Sequence, residues 1–305
     1  MSVVSESALP LALLTGSRGF TGRYLRTELA QAGYRVLGVV QDGAVGADEI
    51  ALDLRDRDAT LRALAPLLPA VVVHLAGIAQ VAHGDAAALY QTNLIATRNL
   101  LEALAQCAVP PRAVLLASSG NVYGNLGAEV LDESMAPQPA NDYAVSKLAM
   151  EHMARLWMAR LPIILVRPFN YTGVGQSEDF LLPKIVGHFR HGARVIELGN
   201  THVARDFSDV RDVARCYRKL LQVPAAIGQT LNVCSGRLTT LDEVLQLMQH
   251  IAGYAIGVRV NPAFVRGNEI ARLRGNDARL RAVLDDAPGG IPLRETLRWM
   301  FAAPW

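Results

Sequence analysis

The strongest chemical signal in the sequence is a tyrosine and a lysine spaced four residues apart. Tyr143 and Lys147 lie in the run Tyr-Ala-Val-Ser-Lys, which opens an apolar stretch of helical character. Residues four apart share one face of a helix, so the phenol and the ammonium are predicted to point into the same cleft. A phenol titrates near ~10, and an adjacent cation lowers its pKa by favouring the phenolate. The spacing therefore predicts that Tyr143 is a general acid or base, against the alternative of chance spacing on a solvated helix.

A serine supplies a third polar group after a segment that is predicted to be a buried strand. The strand covers residues 113–117, and Ser119 lies in the run Ser-Ser-Gly-Asn-Val-Tyr-Gly that follows it. Because parallel sheets place their functional sites at the carboxyl ends of strands, Ser119 is predicted to reach the cleft of Tyr143. The catalytic residues predicted from the sequence are therefore Ser119, Tyr143 and Lys147.

A glycine-rich loop near the start of the sequence predicts a dinucleotide site. An apolar segment at residues 11–14 is predicted as a strand, and the run Thr-Gly-Ser-Arg-Gly-Phe-Thr-Gly connects it to a helix at residues 24–32. Glycines let the backbone turn tightly and approach a pyrophosphate, which then faces the N-terminus of the helix. The predicted cofactor contacts in this loop are Gly16, Arg18, Gly19, Phe20, Thr21 and Gly22.

The end of the next predicted strand bears on the choice of cofactor. Residues 35–40 read as a strand, and Gln41 follows where an NAD-specific site often carries an acidic residue for the ribose hydroxyls. Arg18 can instead bind the 2′-phosphate of NADP, because a guanidinium matches the geometry of phosphate oxygens. We therefore expect NADPH as the cofactor, with NADH as the alternative. The other interpretation of Arg18 is a solvated loop arginine.

Composition and charge narrow the classes of protein that fit this sequence. The 305 residues are 51% hydrophobic, which supports a large α/β core. A formal charge of +2, from 30 basic and 28 acidic residues, gives no polyanion signal, so nucleic acid is not expected as a partner. The three cysteines lack metal-ligand spacing, so we expect reduced core thiols and no metal. The apolar run at residues 9–14 is too short for a membrane span and no basic residue precedes it, so a cytoplasmic protein is expected.

The motifs together resemble the extended short-chain dehydrogenases/reductases, also described as the NAD-dependent epimerase/dehydratase family. The glycine spacing of the loop, Ser119 and the Tyr-x-x-x-Lys pair carry the resemblance. It implies an α/β fold with a Rossmann-type doubly wound parallel sheet and a smaller, interleaved C-terminal substrate lobe. The dinucleotide-binding domain is expected at 1–169 plus about 209–234, and the sugar-nucleotide lobe at 170–208 plus about 235–305. A homodimer is a further expectation from the family.

The resemblance also implies roles for residues that say little on their own. Asp53 would bind the adenine amino group, although it can equally cap a helix. Asn93, on a long helical run at 90–105, would support the active-site lysine through the backbone and water, although it can be a surface residue. His74 reads as a packed core histidine. The cofactor contacts implied outside the glycine-rich loop are Gln41, Asp53, Leu54, Leu75, Ala76, Gly77, Asn93, Tyr143 and Lys147.

The residues after Ser119 separate the reaction types of this family. Sugar-nucleotide 4,6-dehydratases carry an acidic residue directly after the catalytic Ser or Thr, whereas this sequence has Gly120 and then Asn121. GDP-fucose synthases carry a cysteine at about this point, and this chain does not. Simple hydride transfer remains, either in a reductase that releases spent cofactor or in a 4-epimerase that retains it.

Segments in the second half of the sequence resemble GDP-6-deoxy-4-keto-D-mannose reductases. They are Arg-Pro-Phe-Asn with Gly-Val-Gly-Gln at 167–176, the run at 205–213, Asn-Val-Cys-Ser-Gly at 232–236, and Arg266 with Glu269. The resemblance implies reduction of the C4 keto group of a GDP-4-keto-6-deoxy-D-mannose-type sugar to GDP-D-rhamnose, a polysaccharide precursor. The implied substrate contacts are Ser119, Gly120, Asn170, Arg205, Arg266 and Glu269. The alternatives are a nucleotide-sugar 4-epimerase with tightly held NAD, and a non-catalytic NADP-binding redox sensor.

Overall fold

Parallel strands alternate with helices through the first two thirds of the chain. The computed structural model describes residues 9–80, 84–265, 270–284 and 290–304. The strands are β1 (Leu11–Thr15), β2 (Arg35–Val40), β3 (Glu49–Ala51), β4 (Val71–His74), β5 (Ala113–Ala117), β6 (Ile163–Pro168), β7 (Asn170–Thr172), β8 (Val195–Leu198), β9 (Ala204–Asp209), β10 (Thr230–Val233), β11 (Leu238–Thr240), β12 (Gly257–Val260) and β13 (Arg272–Leu273).

The helices connect and cover these strands. The α-helices are α1 (Phe20–Gln31), α2 (Arg57–Leu64), α3 (Ala86–Tyr90), α4 (Ala96–Leu104), α5 (Asp142–Arg155), α6 (Leu181–Arg190), α7 (Val210–Leu220), α8 (Leu241–Ala252), α9 (Ala278–Val283) and α10 (Leu293–Ala302). A π-helical turn at Gln91–Ile95 joins α3 to α4, and 3-10 turns cover Gly120–Tyr123, Pro224–Ala226 and Pro262–Phe264. In the part of the chain that the structure describes, no helix is long and apolar enough to cross a membrane.

One sheet contains seven of the described strands, in the order β10-β6-β5-β4-β1-β2-β3. β1 pairs in parallel with β2 on one side and with β4 on the other, so the chain first builds the sheet outward and then crosses back over β1. All five positions of β1 and all four of β4 are buried, as expected when helices cover both faces of a parallel sheet. The predicted Rossmann-type doubly wound sheet is confirmed.

The described chain divides into two compact units. The first comprises the described residues up to Ala117 together with Ala149–Leu165 and Tyr217–Gln229. The second comprises Ser118–Leu148, Val166–Cys216 and the described residues from Thr230 onward. The domains expected from the sequence were defined by the ligand that each would bind, and that division stays a prediction.

Each unit has its own apolar core. In the first unit, leucines and valines of β1, β4 and β5 pack with Leu100, Leu101 and Leu104 of α4. In the second, one cluster joins α6, α8 and α10, and a smaller one surrounds Tyr123 and Phe169. The predicted reduced core thiols are confirmed, since Cys107, Cys216 and Cys234 are buried outside any disulfide.

The helix α8 begins at a capping box formed by Thr240 and Glu243. The Thr240 hydroxyl accepts a hydrogen bond from the Glu243 backbone N–H at 3.2 Å, and the Glu243 carboxylate accepts one from the Thr240 backbone N–H at 2.6 Å. Two backbone donors that the first helical turn leaves unpaired are satisfied in this way. The helix ends at Gly253, whose φ of +79° is the left-handed conformation that glycine adopts without strain.

Replacing Thr240 by alanine is expected to lower the free energy of unfolding by ~1 kcal/mol, the usual cost of losing an N-cap. The measurement is urea denaturation followed by circular dichroism. Gln246→Ala is the matched control, because Gln246 is exposed in the middle of the same helix. An equal loss of stability in both variants would contradict the assignment of the cap.

Candidate active site

Ser119 lies in the turn that follows β5, and that turn fixes its hydroxyl. Its backbone is extended, with φ −159° and ψ 144°, and it caps the 3-10 turn at Gly120–Tyr123. The Ser119 Oγ accepts hydrogen bonds from the backbone N–H and from the side-chain Nδ2 of Asn121, both at 3.2 Å. The side chain is buried, so few hydroxyl rotamers remain available to it.

A buried polar network anchors the other end of this turn. The fully buried Tyr123 donates a hydrogen bond to Asn232 Oδ1 at 2.8 Å and accepts one from Arg167 Nη1 at 2.9 Å. The Asn232 Nδ2 donates to the Leu131 carbonyl at 3.0 Å, and its backbone N–H donates to Glu133 Oε1 at 2.7 Å. Burial raises the pKa of Tyr123, so this phenol is a neutral structural group. Sequence reasoning missed the network because its members are distant in the chain.

The helix α5 carries the predicted Tyr143 and Lys147. It begins at Asp142, and the Asn141 side chain caps it by accepting a hydrogen bond from the Ala144 backbone N–H at 2.9 Å. Tyr143 is 7% exposed and Lys147 is 9% exposed, so the shared face is buried rather than solvated. The Tyr143 phenol makes a hydrogen bond with the Ser119 side chain. The structure therefore brings two of the three predicted catalytic groups into direct contact, with Lys147 one helical turn away.

Burial, rather than the neighbouring lysine, dominates the pKa values of these two groups. It raises the pKa of Tyr143 to about 12, although the hydrogen bond with Ser119 acts in the opposite direction. It lowers the pKa of Lys147 to about 8. The prediction that the pKa of the phenol is lowered is thus wrong for this structure, because burial disfavours the phenolate and the neighbouring Tyr171 also raises the pKa. At neutral pH Tyr143 is a protonated phenol, which is the form that an acid catalyst requires.

The glycine-rich loop follows β1 and packs against the backbone that follows β4. Gly16 has φ +68°, and a Cβ there would lie 2.8 Å from the Ala76 backbone nitrogen. A Cβ on Gly22 would lie 2.2 Å from the Gly16 carbonyl oxygen, so α1 packs against the loop only with glycine there. The helix α1 starts at Phe20, earlier than predicted, with Gly19 as N-cap, no side-chain cap and no acidic residue in its first turn. A helix N-terminus whose first turn carries no acidic residue suits the pyrophosphate of a dinucleotide.

Arg18 is held by a carboxylate that sequence reasoning missed. Its Nε donates to Glu49 Oε1 at 3.1 Å and its Nη2 donates to Glu49 Oε2 at 2.6 Å, which is a bidentate ion pair. The same guanidinium donates to the carbonyls of Asp42 and Ala44. This hydrogen bonding with Arg18 lowers the pKa of Glu49 to about 2. Arg18 is therefore fixed beside the segment that follows β2, with its charge balanced by Glu49.

The predicted adenosine contacts follow strand ends in the same unit. Asp53 lies after β3 rather than in it, and its carboxylate forms a salt bridge with Arg55 at 2.8 Å. That hydrogen bonding lowers the pKa of Asp53. Gln41 is exposed directly after β2, whereas Leu54 is buried and its carbonyl accepts a hydrogen bond from Asn99 at 2.9 Å. Asp53 is thus an anion at neutral pH and caps no helix.

Residues 75–77, which were predicted to contact the cofactor, form the loop that follows β4, since the strand ends at His74. The Ala76 backbone N–H donates to Thr15 Oγ1 at 3.1 Å, which ties this loop to the end of β1. His74 is a packed core histidine, as predicted, with its ring nitrogens bonded to Thr15 and Thr97 at 2.7 and 2.8 Å. Leu75 and Ala76 are half-buried and Gly77 is exposed.

Asn93 lies in the π-helical turn at Gln91–Ile95, not in the continuous helix expected at 90–105. Its side-chain oxygen accepts a hydrogen bond from the Ile78 backbone N–H at 2.9 Å, and its Nδ2 donates to the Ile78 carbonyl at 3.2 Å. It is 1% exposed, so the alternative of a surface polar residue is wrong. Asn93 thereby fixes the backbone just after residues 75–77, and its predicted support of Lys147 stays a prediction.

The predicted substrate contacts in the second unit have different surroundings. Asn170 begins β7, and its Oδ1 is buried and accepts no hydrogen bond from the described residues, which leaves an acceptor for a ligand donor. Gly120 is buried, and a Cβ there would lie 3.0 Å from the Phe169 ring. Arg205 donates to the carbonyls of Ala204 and Ala271 at 3.1 and 3.2 Å. The predicted contacts Arg266 and Glu269 lie outside the described residues.

Two further features concern acidic and metal-binding side chains. Asp209 is buried: its carboxylate pairs with Arg211 at 2.7 Å and accepts a hydrogen bond from the Thr296 hydroxyl at 2.7 Å, so Asp209 joins the end of β9 to α7 and to α10. Within residues 9–80, 84–265, 270–284 and 290–304, no group of three or more His, Cys, Asp or Glu side chains is placed to hold a metal ion. The reacting groups identified above are a phenol, a hydroxyl and an amine.

Comparison with known proteins assigns the family. The model of the NAD dependent epimerase/dehydratase family matches residues 12–234, which include the glycine-rich loop, Ser119, Tyr143 and Lys147. The chain belongs to the NAD dependent epimerase/dehydratase family. As a member of this family it is an NAD(P)-dependent oxidoreductase, as predicted.

Two curated members of the family resemble nearly the whole chain. A GDP-6-deoxy-D-mannose reductase of Pseudomonas aeruginosa is 36% identical over 93% of this chain and 94% of that protein. A GDP-6-deoxy-D-talose 4-dehydrogenase of Aggregatibacter actinomycetemcomitans is 31% identical over 95% of this chain and 96% of that protein. The solved structure of RMD from Pseudomonas aeruginosa complexed with NADPH is 33% identical, with a TM-score of 0.83 over 96% of this chain and 98% of that one.

Replacing Lys147 by methionine is expected to raise the melting temperature near neutral pH. The pKa of Lys147 falls from 10.5 to about 8 on folding, so the unfolded state binds the proton more tightly. The penalty is fully present below about pH 8 and disappears as the pH approaches 10.5, because stability rises where the unfolded state binds more protons. Melting temperatures of both proteins across this range measure it. A gap that stays constant with pH would show that Lys147 is not a buried, destabilised cation.

Proposed function

We propose that the protein reduces the C4 keto group of a GDP-4-keto-6-deoxy-D-mannose-type sugar nucleotide with NADPH, giving GDP-D-rhamnose. The observation that carries the proposal is a buried, protonated Tyr143 bonded to Ser119, with no carboxylate in the turn at Gly120–Tyr123. Reduction of a ketone needs one hydride and one proton at oxygen. Elimination of water needs an additional acid or base, which this turn does not carry.

Each of the three catalytic residues has one role in this proposal. When bound, NADPH supplies the hydride that reduces the ketone carbon. Tyr143 delivers its phenolic proton to the developing alkoxide, and Ser119 donates a hydrogen bond to the Tyr143 oxygen that stabilises the negative charge left there. Lys147 binds the nicotinamide ribose and stabilises the phenolate that proton transfer leaves behind. The lysine is mostly charged at neutral pH and loses that charge as the pH rises through about 8.

The proposed substrate rests on relatives together with two side chains of the second unit. Both curated relatives carry names of enzymes that act on GDP-6-deoxy sugars. The buried Asn170 Oδ1, which accepts no hydrogen bond from the described residues, suits a ribose hydroxyl, and the Arg205 guanidinium suits a diphosphate. The names of the relatives differ in the sugar, mannose in one and talose in the other. The configuration of the product at C4 is therefore part of the test.

The direct test is an assay of the purified protein with NADPH and GDP-4-keto-6-deoxy-D-mannose. The expected result is one NADPH consumed per sugar converted, with the product identified as GDP-D-rhamnose by NMR. Inversion at C4 of a nucleotide sugar that carries a C4 hydroxyl, with no net use of cofactor, would contradict the proposal and favour a 4-epimerase that retains NAD. Failure to oxidise NADPH with any keto-sugar nucleotide would refute the substrate class.

Replacing Tyr143 by phenylalanine is expected to lower kcat by about 10²-fold or more, the usual contribution of a positioned proton donor. The ring keeps its packing, so the Kd for NADPH should change little. Stopped-flow turnover and fluorescence titration of NADPH measure the two quantities. Near-normal turnover in this variant would reject Tyr143 as the acid.

The Arg18–Glu49 ion pair is expected to limit the preference for NADPH over NADH. Glu49 occupies two donors of Arg18 and balances its charge, so a 2′-phosphate must compete with it. Glu49→Gln should raise the ratio of kcat/KM for NADPH over NADH by about tenfold, within the range of a charge-assisted hydrogen bond. Arg18→Gln should lower the same ratio. If neither variant changes it, Arg18 does not bind the 2′-phosphate.

A further inference from the structure

We propose that Asn121 is a positioning residue that sets the direction of the hydrogen bond between Ser119 and Tyr143. The inference rests on the proposed reductase function and deepens it. It assigns a role to an uncharged side chain that contacts Ser119. Asn121 acts through Ser119, by deciding which of the two hydroxyl groups donates its proton to the other.

The Ser119 hydroxyl has a limited number of hydrogen-bonding positions. A hydroxyl carries one proton to donate and two lone pairs that accept. Both acceptor positions of Ser119 are used by Asn121, through its backbone N–H and its Nδ2, each at 3.2 Å. The remaining capacity of Ser119 is its single proton. The side chain with which Ser119 makes its other hydrogen bond is Tyr143.

The direction of this hydrogen bond decides where the phenolic proton of Tyr143 points. Since Ser119 can only donate in this contact, the Tyr143 oxygen accepts, and the phenolic proton is left for another acceptor. A reductase needs this polarity, because the proton must reach the developing alkoxide of the substrate. As the phenol loses its proton, the bond from Ser119 strengthens, since a donor bound to an ionised oxygen is worth more than one bound to a neutral oxygen. With the opposite polarity the proton of Tyr143 would point at Ser119, away from the substrate.

Residue 121 controls the direction of this hydrogen bond because of the turn in which it lies. The 3-10 turn at Gly120–Tyr123 folds the chain back by two residues, which places the Asn121 amide against the Ser119 hydroxyl. Tyr123 holds the far end of the turn through its bonds to Asn232 and Arg167. An amide NH₂ at this position can only donate, whereas a carboxylate can only accept. A carboxylate here would take the Ser119 proton for itself and reverse the arrangement.

The test compares Asn121→Asp with the matched control Asn125→Asp. The first change replaces the donor by an acceptor of almost the same shape, and the second makes the same change at an exposed residue four positions later. For Asn121→Asp we expect kcat to fall by about tenfold to a hundredfold, as for a misplaced catalytic group, with a larger solvent deuterium isotope effect. The Kd for NADPH and the melting temperature should stay near those of the wild type. Asn125→Asp should match the wild type in every measurement.

Two results would overturn the role of Asn121. One is a wild-type kcat and isotope effect in Asn121→Asp. The other is a loss of kcat accompanied by weaker NADPH binding and an unchanged isotope effect, which would mean that the residue only supports the structure. Asn121→Ala provides a second arm: it removes the donor without adding an acceptor, so its loss of kcat should be smaller than that of the aspartate variant.

A measurement without substrate separates this inference from the proposed function. Tyrosine labelled with ¹³C at the ζ carbon reports hydrogen bonding of the phenol by NMR, and Tyr143→Phe assigns the signal. Ser119→Ala and Asn121→Asp should displace the Tyr143 signal in the same sense, because each removes the donor to the phenol. If Ser119→Ala displaces the signal and Asn121→Asp does not, the inference fails even in a protein that reduces keto sugars. If both displace it and no keto sugar is reduced, the proposed function fails instead.

Discussion

Burial of the Ser119–Tyr143 hydrogen bond is the constraint on which the chemistry depends. Both side chains are less than a tenth exposed, so the charged form of the phenol is disfavoured and Tyr143 keeps its proton at neutral pH. The same desolvation acts in the opposite sense on Lys147, whose charged form is also disfavoured. Burial therefore produces both a phenol that keeps its proton and an ammonium that loses its proton more readily. This pair is suited to giving a proton to a substrate oxygen and then stabilising the phenolate.

Buried polar contacts hold Ser119 in position beside Tyr143. The 3-10 turn after β5 is fixed at one end by the two bonds from Asn121 to Ser119, and at the other by the bonds of Tyr123 to Asn232 and Arg167. A buried network of this kind is favourable only when its members are satisfied. The satisfied network positions the hydroxyl more narrowly than apolar packing would. Ser119 thus lies on a rigid turn rather than on a mobile loop.

The sequence was sufficient where the signal is local. The Tyr143 and Lys147 pair, the glycine-rich loop and the cap at Thr240 are each encoded within a few neighbouring residues, and the structure has all three elements. The family resemblance also implied the doubly wound sheet.

The features that the sequence did not reveal depend on residues distant in the chain or on burial. Arg18 and Glu49 are 31 positions apart, and Tyr123 and Asn232 are 109 apart, so neither contact leaves a spacing pattern. The direction of the Tyr143 pKa shift was wrong because helical spacing reveals the neighbouring cation and not the loss of water. Asn121 was noticed only as a place where a carboxylate is lacking. The folded structure shows that both of its donors bond to one oxygen, the Oγ of Ser119.

The central claim is that this chain transfers hydride from cofactor to the C4 carbon of a sugar nucleotide and a proton to the oxygen. The most direct measurement is a reaction with NADPH that carries deuterium at both positions of the nicotinamide C4, followed by NMR of the sugar product. The claim predicts one deuterium at sugar C4 for each cofactor oxidised. Sugar that is converted without deuterium at C4, or with deuterium at another carbon, would contradict it.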